Sequence, residues 1–416
     1  MKLTTIRVGY FLAYKRITRS SILTNLLVIF IMVLTFLNLL FVRGILIGLP
    51  QGAINANERN YYGDIYISTL STKKYIEKDS EVLEAISTLN NVKSYTSRYA
   101  VRSVVVGNFN ERVKSDEKLD SISATALGIN PSKEITTINL NAHIREGELF
   151  KSDSTNEIVL GIDLVSKFAS PGSDSSATLD TVDIGDEVEI TINNITKKVK
   201  VIGFANAKVG EIDSRVLMSQ TLFKEFVSNE DFKPAEIVLR LEGKNEHNQT
   251  KIALLNKGVG AFAKIETPSE YQPSFVEDIV TTFAILGDVI GTIGLIVASI
   301  TIFIVIFVTA VTKRKFIGIL KGIGISSLAI EISYVFQSLF YATVGSAIGL
   351  IILYGFLVPY FNANPIDFPF SDGILVAEYS ETINRTITLF IATIVAGYLP
   401  ARYIVSQNTL DAILGR

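Results

Sequence analysis

Ile279–Thr312 reads IVTTFAILGDVIGTIGLIVASITIFIVIFVTAVT, and Lys313–Ser326 follows it as KRKFIGILKGIGIS. The first stretch carries a single charge, Asp288. It exceeds the roughly 20 apolar residues a helix needs to cross a bilayer core of about 30 Å. It stops on three consecutive cations, Lys313, Arg314 and Lys315. Beyond them Ile317, Ile319, Leu320 and Ile323 continue as a short helix-like segment interrupted by Gly318, Gly322 and Gly324. A span that ends on a basic cluster marks a cytoplasmic membrane edge.

Three more runs have the same character. Ile22–Leu49 is free of charge up to Val42, is too long for a signal-peptide core and is followed by no small-residue cleavage site. It is expected to remain as an anchor. Ile325–Val358 carries only Glu331, and Thr386–Val405 is uncharged until Arg402. The spans are therefore assigned to 22–49, to 276–312 (a stalk from Ser274 running through Asp288 into span two), to 325–358 and to 386–405. Residues 1–21 precede them as an amphipathic helix, with Ile6, Tyr10, Phe11, Tyr14 and Ile17 among cations, which suits a helix lying along the inner interface.

Lys2, Arg7, Lys15, Arg16 and Arg19 lie before span one, and Lys313, Arg314, Lys315 and Lys321 lie between spans two and three. Loop 359–385 holds Asp367, Asp372, Glu378 and Glu381 instead. This asymmetry predicts a multi-pass inner-membrane protein with both termini, segment 313–324 and tail 406–416 in the cytoplasm, and 50–275 outside.

The chain is 48% hydrophobic with 19% charged residues, so a substantial aqueous part accompanies the spans. A net charge of −2, with the cations gathered at membrane edges, excludes a nucleic-acid partner. Without Cys there is no disulfide framework or thiolate metal site. His143 and His247 stand far apart in the polar half, and neither is assigned a metal or an acid–base role. G-x-x-x-x-G-K-[ST] and G-x-S-x-G occur nowhere in the sequence. No catalytic, cofactor-binding or metal-binding residue is assigned.

Within 50–275, Gly63–Leu70 and Arg98–Val106 read as strands around a helix that Asp79 or Ser80 caps and that runs to Leu89. The order repeats as strand Glu236–Leu241, helix Glu246–Leu255 and strand Ala261–Glu266. The two units are expected to make one small α+β layer pair. Between them, Ile158–Leu160, Glu187–Ile192, Lys197–Phe204 and Arg215–Met218 are short strands divided by turn signals such as Gly185-Asp186 and Ser170–Ser176. They read as a β-rich subdomain inserted at about 140–230. The fold class is thus an α-helical membrane protein with four transmembrane helices plus a large α+β extracytoplasmic domain.

Gly287, Gly291 and Gly294 form a small-residue stripe in span two, and Gly345 with Gly349 forms another in span three. Such stripes let a helix approach closely, for packing within the chain or in a dimer.

The order of span, large external domain and three spans, with TKRKFIGILKGIGIS after span two, resembles the ABC transporter permeases of the MacB, LolC/LolE and FtsX-like family. Ile317-Gly318-Ile319-Leu320-Lys321 and Gly324 match that family's basic IGILKALGAS-type segment. Gly397, Pro400, Ala401 and Arg402, then Leu410, Ala412 and Leu414, match its C-terminal pattern. LGINPSKE (127–134), IREGELF (144–150) and the GDEVEI and VKVIGF pairing are similar to its MacB-like periplasmic core domain. Phe316 departs from the usual acidic or polar residue, and Asn408 stands where Pro is common.

The resemblance implies that Lys313–Gly324 is a coupling helix docking on a separate ATPase chain, which holds ATP and Mg. It also implies a second permease copy or paralogue and a periplasmic or cell-wall partner. The function implied is mechanotransmission: ATP hydrolysis moves the external domain for efflux or release of a lipoprotein, peptide or drug-like substrate. The alternative is an FtsX-like transducer that activates a cell-wall hydrolase.

Overall fold

The computed structural model describes residues 3–107, 109, 119–168, 178–243, 246–271, 274–368, 371–373 and 375–407. In chain order the elements begin with α1 (Leu3–Thr18), α2 (Ile22–Asn57), β1 (Ile65–Ser68), α3 (Asp79–Ser87), β2 (Val92–Val106) and β3 (Ser121–Ile129). Next come α4 (Pro131–Ile138), β4 (Ile144–Gly147), β5 (Glu157–Gly161), β6 (Glu187–Ile192), β7 (Ile195–Ala205) and α5 (Gly210–Asp213). β8 (Arg215–Ser219), α6 (Gln220–Lys224), β9 (Glu236–Leu241), α7 (His247–Asn256) and β10 (Lys264–Glu266) complete the sheet region. α8 (Ser274–Thr312), α9 (Arg314–Gly322), α10 (Ser327–Ile352), α11 (Val358–Ala363), the strands β11 (Ile366–Phe368) and β12 (Ser371–Gly373), and α12 (Tyr379–Val405) follow. The chain divides into two compact units, Gly52–Val276 with Phe368–Asp372, and the remainder.

Among the described residues four stretches are long and apolar enough to cross a membrane: Ile22–Tyr62, Asp278–Thr312, Ser327–Ala363 and Tyr379–Val405. All four expected spans are present, but their ends move. The first helix passes Pro50 and runs to Asn57 instead of stopping at Leu49. The third begins at Ser327, changes to a π-turn at Leu353–Leu357 and continues as α11 to Ala363. The fourth starts at Tyr379, ahead of Thr386. Hydropathy marks where lipid ends, whereas the backbone ladder continues into water at little cost. α8 makes the point: its 39 residues amount to about 58 Å of helix at 1.5 Å per residue, roughly twice a bilayer core.

Val28, Met32, Phe36, Ile302, Ile306, Ile317, Tyr334, Tyr341, Leu389 and Ile404 form the core of this unit. α1 lays Gly9 and Ala13 inward, where a Cβ on Gly9 would come within 3.1 Å of the Ala329 carbonyl oxygen of α10. Its aromatic residues Tyr10, Phe11 and Tyr14 remain exposed, an arrangement suited to a lipid interface.

In the sheet unit, β10-β1-β9-β2 form the layer against which α3 and α7 pack. Its core holds Ile65, Ile67, Val82, Ile86, Ile237, Leu239 and Leu254. This is the expected pair of strand–helix–strand units. Three local differences occur: α3 begins at Asp79 after a left-handed Lys78 without a side-chain cap, β2 begins at Val92, and Val259–Ala261 is a 3-10 turn before β10.

The β-rich part expected at about 140–230 is continuous with this layer through β2 and takes in β3 as well. β2 pairs with β9 through Val92–Arg98 and with β3 through Tyr99–Val106, while β6 pairs with both β2 and β7. Pairings β2-β3-β8-β5-β7-β6 therefore close into a ring. Alternate residues Ala124 and Ala126, Ile158 and Leu160, Val188 and Ile190, Val199 and Val201 fill its interior, as the two-residue side-chain period of strands requires. The turn at Ser170–Ser176 lies outside the described residues.

Candidate functional site

α9 is set by its ends. Lys313 leaves the helical conformation after Thr312, and the Ile317 N–H donates to the Lys313 carbonyl at 3.0 Å. At the other end Gly324 takes φ +93°, a left-handed conformation that suits glycine. The Ile325 N–H then reaches the Leu320 carbonyl, and the Gly324 N–H the Lys321 carbonyl, each at 3.0 Å. This paired closure satisfies carbonyls that a helix end leaves bare. Two residues on, the Ser326 hydroxyl accepts from the Ala329 N–H and opens α10. The sequence Gly324-Ile325-Ser326 thus ends one helix and starts the next.

The two faces of α9 differ. Ile317, Gly318 and Leu320 are buried in the bundle. Phe316, Ile319 and Ile323 point the other way and are 52%, 51% and 71% exposed. Spacings of three and four place them on one stripe.

The cations divide as well. Lys315 is exposed and Lys313 and Arg314 are half-buried. The Lys321 ammonium donates to the carbonyls of Val405 and Gln407 at 3.0 and 2.9 Å. It closes the C-terminus of α12, where the helix dipole favours positive charge. Pro400 and Ala401 are buried in α12, and Arg402 donates to the Tyr398 hydroxyl at 2.9 Å. Asn408, Leu410, Ala412 and Leu414 lie outside the described residues.

Both glycine stripes meet α2. A Cβ on Gly287, Gly291 or Gly294 would lie 3.1, 3.2 or 2.4 Å from Arg43, Leu39 or Asn38. On Gly345 or Gly349 it would lie 2.5 or 2.4 Å from Met32 or Phe36. The first span is therefore gripped on two sides by helices that lack side chains where they touch it.

Two charge clusters escaped the sequence reading. In the helical unit, Arg43 and Arg385 both bond Asp288. Glu381 accepts from the Arg385 Nε at 2.8 Å and pairs ionically with the Arg43 guanidinium, whose Nε lies 3.2 Å away. Four charges sum to zero across α2, α8 and α12, so Asp288 is a paired group. The signal was available in opposite charges at adjoining ends of apolar runs.

In the sheet unit, Arg98 is fully buried and grips Glu134 with Nε and Nη2, each at 2.9 Å. Its Nη1 donates to the Tyr61 carbonyl at 2.9 Å. Thr96 donates to Glu134 at 2.8 Å, and Arg215 donates to Glu236 at 2.9 Å. The Tyr61 hydroxyl also bonds Glu236. Burial works against the Glu236 carboxylate, yet Arg215 and Arg98 hold its pKa below the ordinary value. Nothing local in sequence joins these residues, because β2, α4, β8, β9 and the turn at Glu58–Tyr62 bring them together.

Glu58, Asp64 and His247 bring donor atoms within 4.8 Å of one another. However, Asp64 is already taken by Arg240 at 3.1 Å and by the Leu241 N–H at 2.7 Å. An arginine on the would-be ligand disfavours a cation there.

The FtsX-like permease C-terminal family model matches residues 289–409, which take in most of α8 and all of α9, α10, α11 and α12. The macrolide export ATP-binding/permease protein MacB of Campylobacter jejuni, in two strains, is 28% identical over 132 residues. That stretch is 32% of this chain and only 20% of the relative's length. Among solved structures, the periplasmic region of MacB from Actinobacillus actinomycetemcomitans matches 49% of this chain and 88% of its own, at 15% identity and a TM-score of 0.34. The extracellular domain of the ABC-type transporter YknZ from Gram-positive bacteria matches 49% and 98%, at 13% identity and a TM-score of 0.30.

Proposed function

We propose, from the FtsX-like permease region at residues 289–409, that this chain is the permease subunit of an ABC transporter of the MacB/FtsX type. A separate ATPase chain binds ATP and Mg and docks on α9. The permease itself is a non-catalytic subunit that pairs with a second copy or a paralogue. Closure of the ATPase pair moves α9. Helix α8 carries the movement to the sheet domain, which acts outside the inner membrane on a lipoprotein, peptide or drug-like substrate.

The observation that carries this reading is the exposed apolar stripe Phe316, Ile319 and Ile323 on a helix whose other face is locked in the bundle. Exposed apolar stripes rimmed by charge mark partner surfaces. The basic residues around α9 and before α2, against the acidic loop before α12, support a cytoplasmic place for α1, α9 and the tail.

Gly318→Pro tests it. Proline there removes a backbone donor and meets the Arg314 carbonyl one turn back, at a cost of about 3 kcal/mol or more. ATPase stimulation in reconstituted complexes should fall while membrane insertion stays normal. Neutralising Lys313, Arg314 and Lys315 should be milder. Wild-type coupling in the proline variant would end the assignment of α9.

A further inference from the structure

Between α1 and the corner where α8 meets α9 lies a cavity of about 450 Å³, within the range of small-ligand sites. Five cations line it: Lys15, Arg16 and Arg19 from α1, with Lys313 and Lys315 from the corner. Leu12 and Phe316 supply apolar wall. Among the described residues no acidic side chain lines it.

Arg16 is the telling member. Its side chain is only 7% exposed, and its guanidinium is stacked 3.5 Å over the Tyr334 ring. Its Nη1 is buried with no hydrogen-bond partner in the described structure. A buried, unpaired guanidinium nitrogen is costly to leave bare. The Tyr334 ring holds the guanidinium in place while Nη1 stays without a partner, and a planar guanidinium is suited to hold a phosphate. The cations come from two elements remote in sequence, so charge anchoring at a span end does not account for their convergence on one hollow.

We propose that this cavity binds the phosphate group of an anionic glycerophospholipid, with Arg16 as the buried anchor and Lys15, Arg19, Lys313 and Lys315 as its rim. Basic pockets beside membrane helices select acidic headgroups in this way. The exposed Tyr10, Phe11 and Tyr14 of α1 would sit at the same interface. A bound lipid would tie α1 to the start of α9, so membrane composition would tune the stiffness of the coupling corner. The proposal needs the helical unit in a membrane but does not require the ATPase.

The test uses the purified full chain in detergent, offered equimolar phosphatidylglycerol and phosphatidylcholine and read by native mass spectrometry. Wild type should retain phosphatidylglycerol at least tenfold over phosphatidylcholine. A cation near a membrane surface is worth about fivefold in affinity, so Arg16→Gln should lose about that much. The triple variant Lys15→Gln, Lys313→Gln and Lys315→Gln, which alters no fully buried side chain, should retain the two lipids about equally. Melting temperatures in the same detergent separate lost binding from lost folding. If lipids are retained equally by wild type but inorganic phosphate raises the melting temperature of wild type and not of the triple variant, the phosphate chemistry stands and a soluble phosphate is its source. Equal retention of the two lipids by wild type without a phosphate effect, or an undiminished preference in the folded triple variant, would overturn the proposal. Neither result depends on ATPase coupling, which Gly318→Pro tests separately.

Discussion

Replacing Phe316, Ile319 and Ile323 together by Ser strips the outward face of α9 and leaves its buried face intact. Fully burying one such side chain is worth about 1.5–3 kcal/mol. Half or more of each remains open to a partner, at 52%, 51% and 71% exposure. Docking could therefore draw on roughly 3–5 kcal/mol from the three, an upper limit because ordering at the interface offsets part of it. Affinity for the ATPase should fall by about a hundredfold to a few thousandfold. The permease alone should melt as wild type does, since exposed substitutions usually shift stability by less than about 0.5 kcal/mol. Ile317→Ser on the inward face, where the side chain is 2% exposed, should do the reverse and lower the melting temperature of the isolated chain. The assay is titration of detergent-solubilised permease with its ATPase, paired with melting followed by circular dichroism. Wild-type affinity in the triple variant would refute the docking role of this face, whatever its charges do.

With no native Cys in the chain, single cysteines report topology directly: Ser121→Cys should label in intact cells and Lys315→Cys only after permeabilisation, and the opposite pattern would reverse the orientation. Glu134→Ala takes from buried Arg98 its bidentate partner and leaves it only Glu236 at 3.8 Å, so it should cost about 3–5 kcal/mol; adding Arg98→Met should restore much of the loss, as thermal melts of the single and double variants will tell. Glu236 has a depressed pKa in the folded chain, so its stabilisation is present above the unfolded value of about 4.3 and is lost as pH falls through the folded one. Melting temperature should therefore fall below about pH 4.3, and Glu236→Gln should be less stable at pH 7 but flatter across that acid range.

Four spans and their order were legible from sequence because their cause is local: lipid demands about 20 apolar residues in a row. The left-handed Gly324 and the Ser326 cap that separate α9 from α10 went unread, and span three was placed from Ile325. The strand–helix–strand pairs were legible for the same reason, since period and turn residues act over a few positions. Helix ends were less so, because Pro50 and the polar residues after Leu49 do not stop a ladder that water can still accompany.

Tertiary structure alone decided the rest. β2 belongs to both layers only because its two halves meet different partners, and strand pairing is a property of partners, not of the strand. The same holds for the glycine stripes, whose neighbour within the chain, α2, sequence does not name. Arg98 with Glu134, Arg43 with Asp288, and Lys321 with the end of α12 are each joined across long stretches of chain. A charge shows in sequence, but its counter-charge is chosen by folding, because burial without a partner is what the fold must avoid.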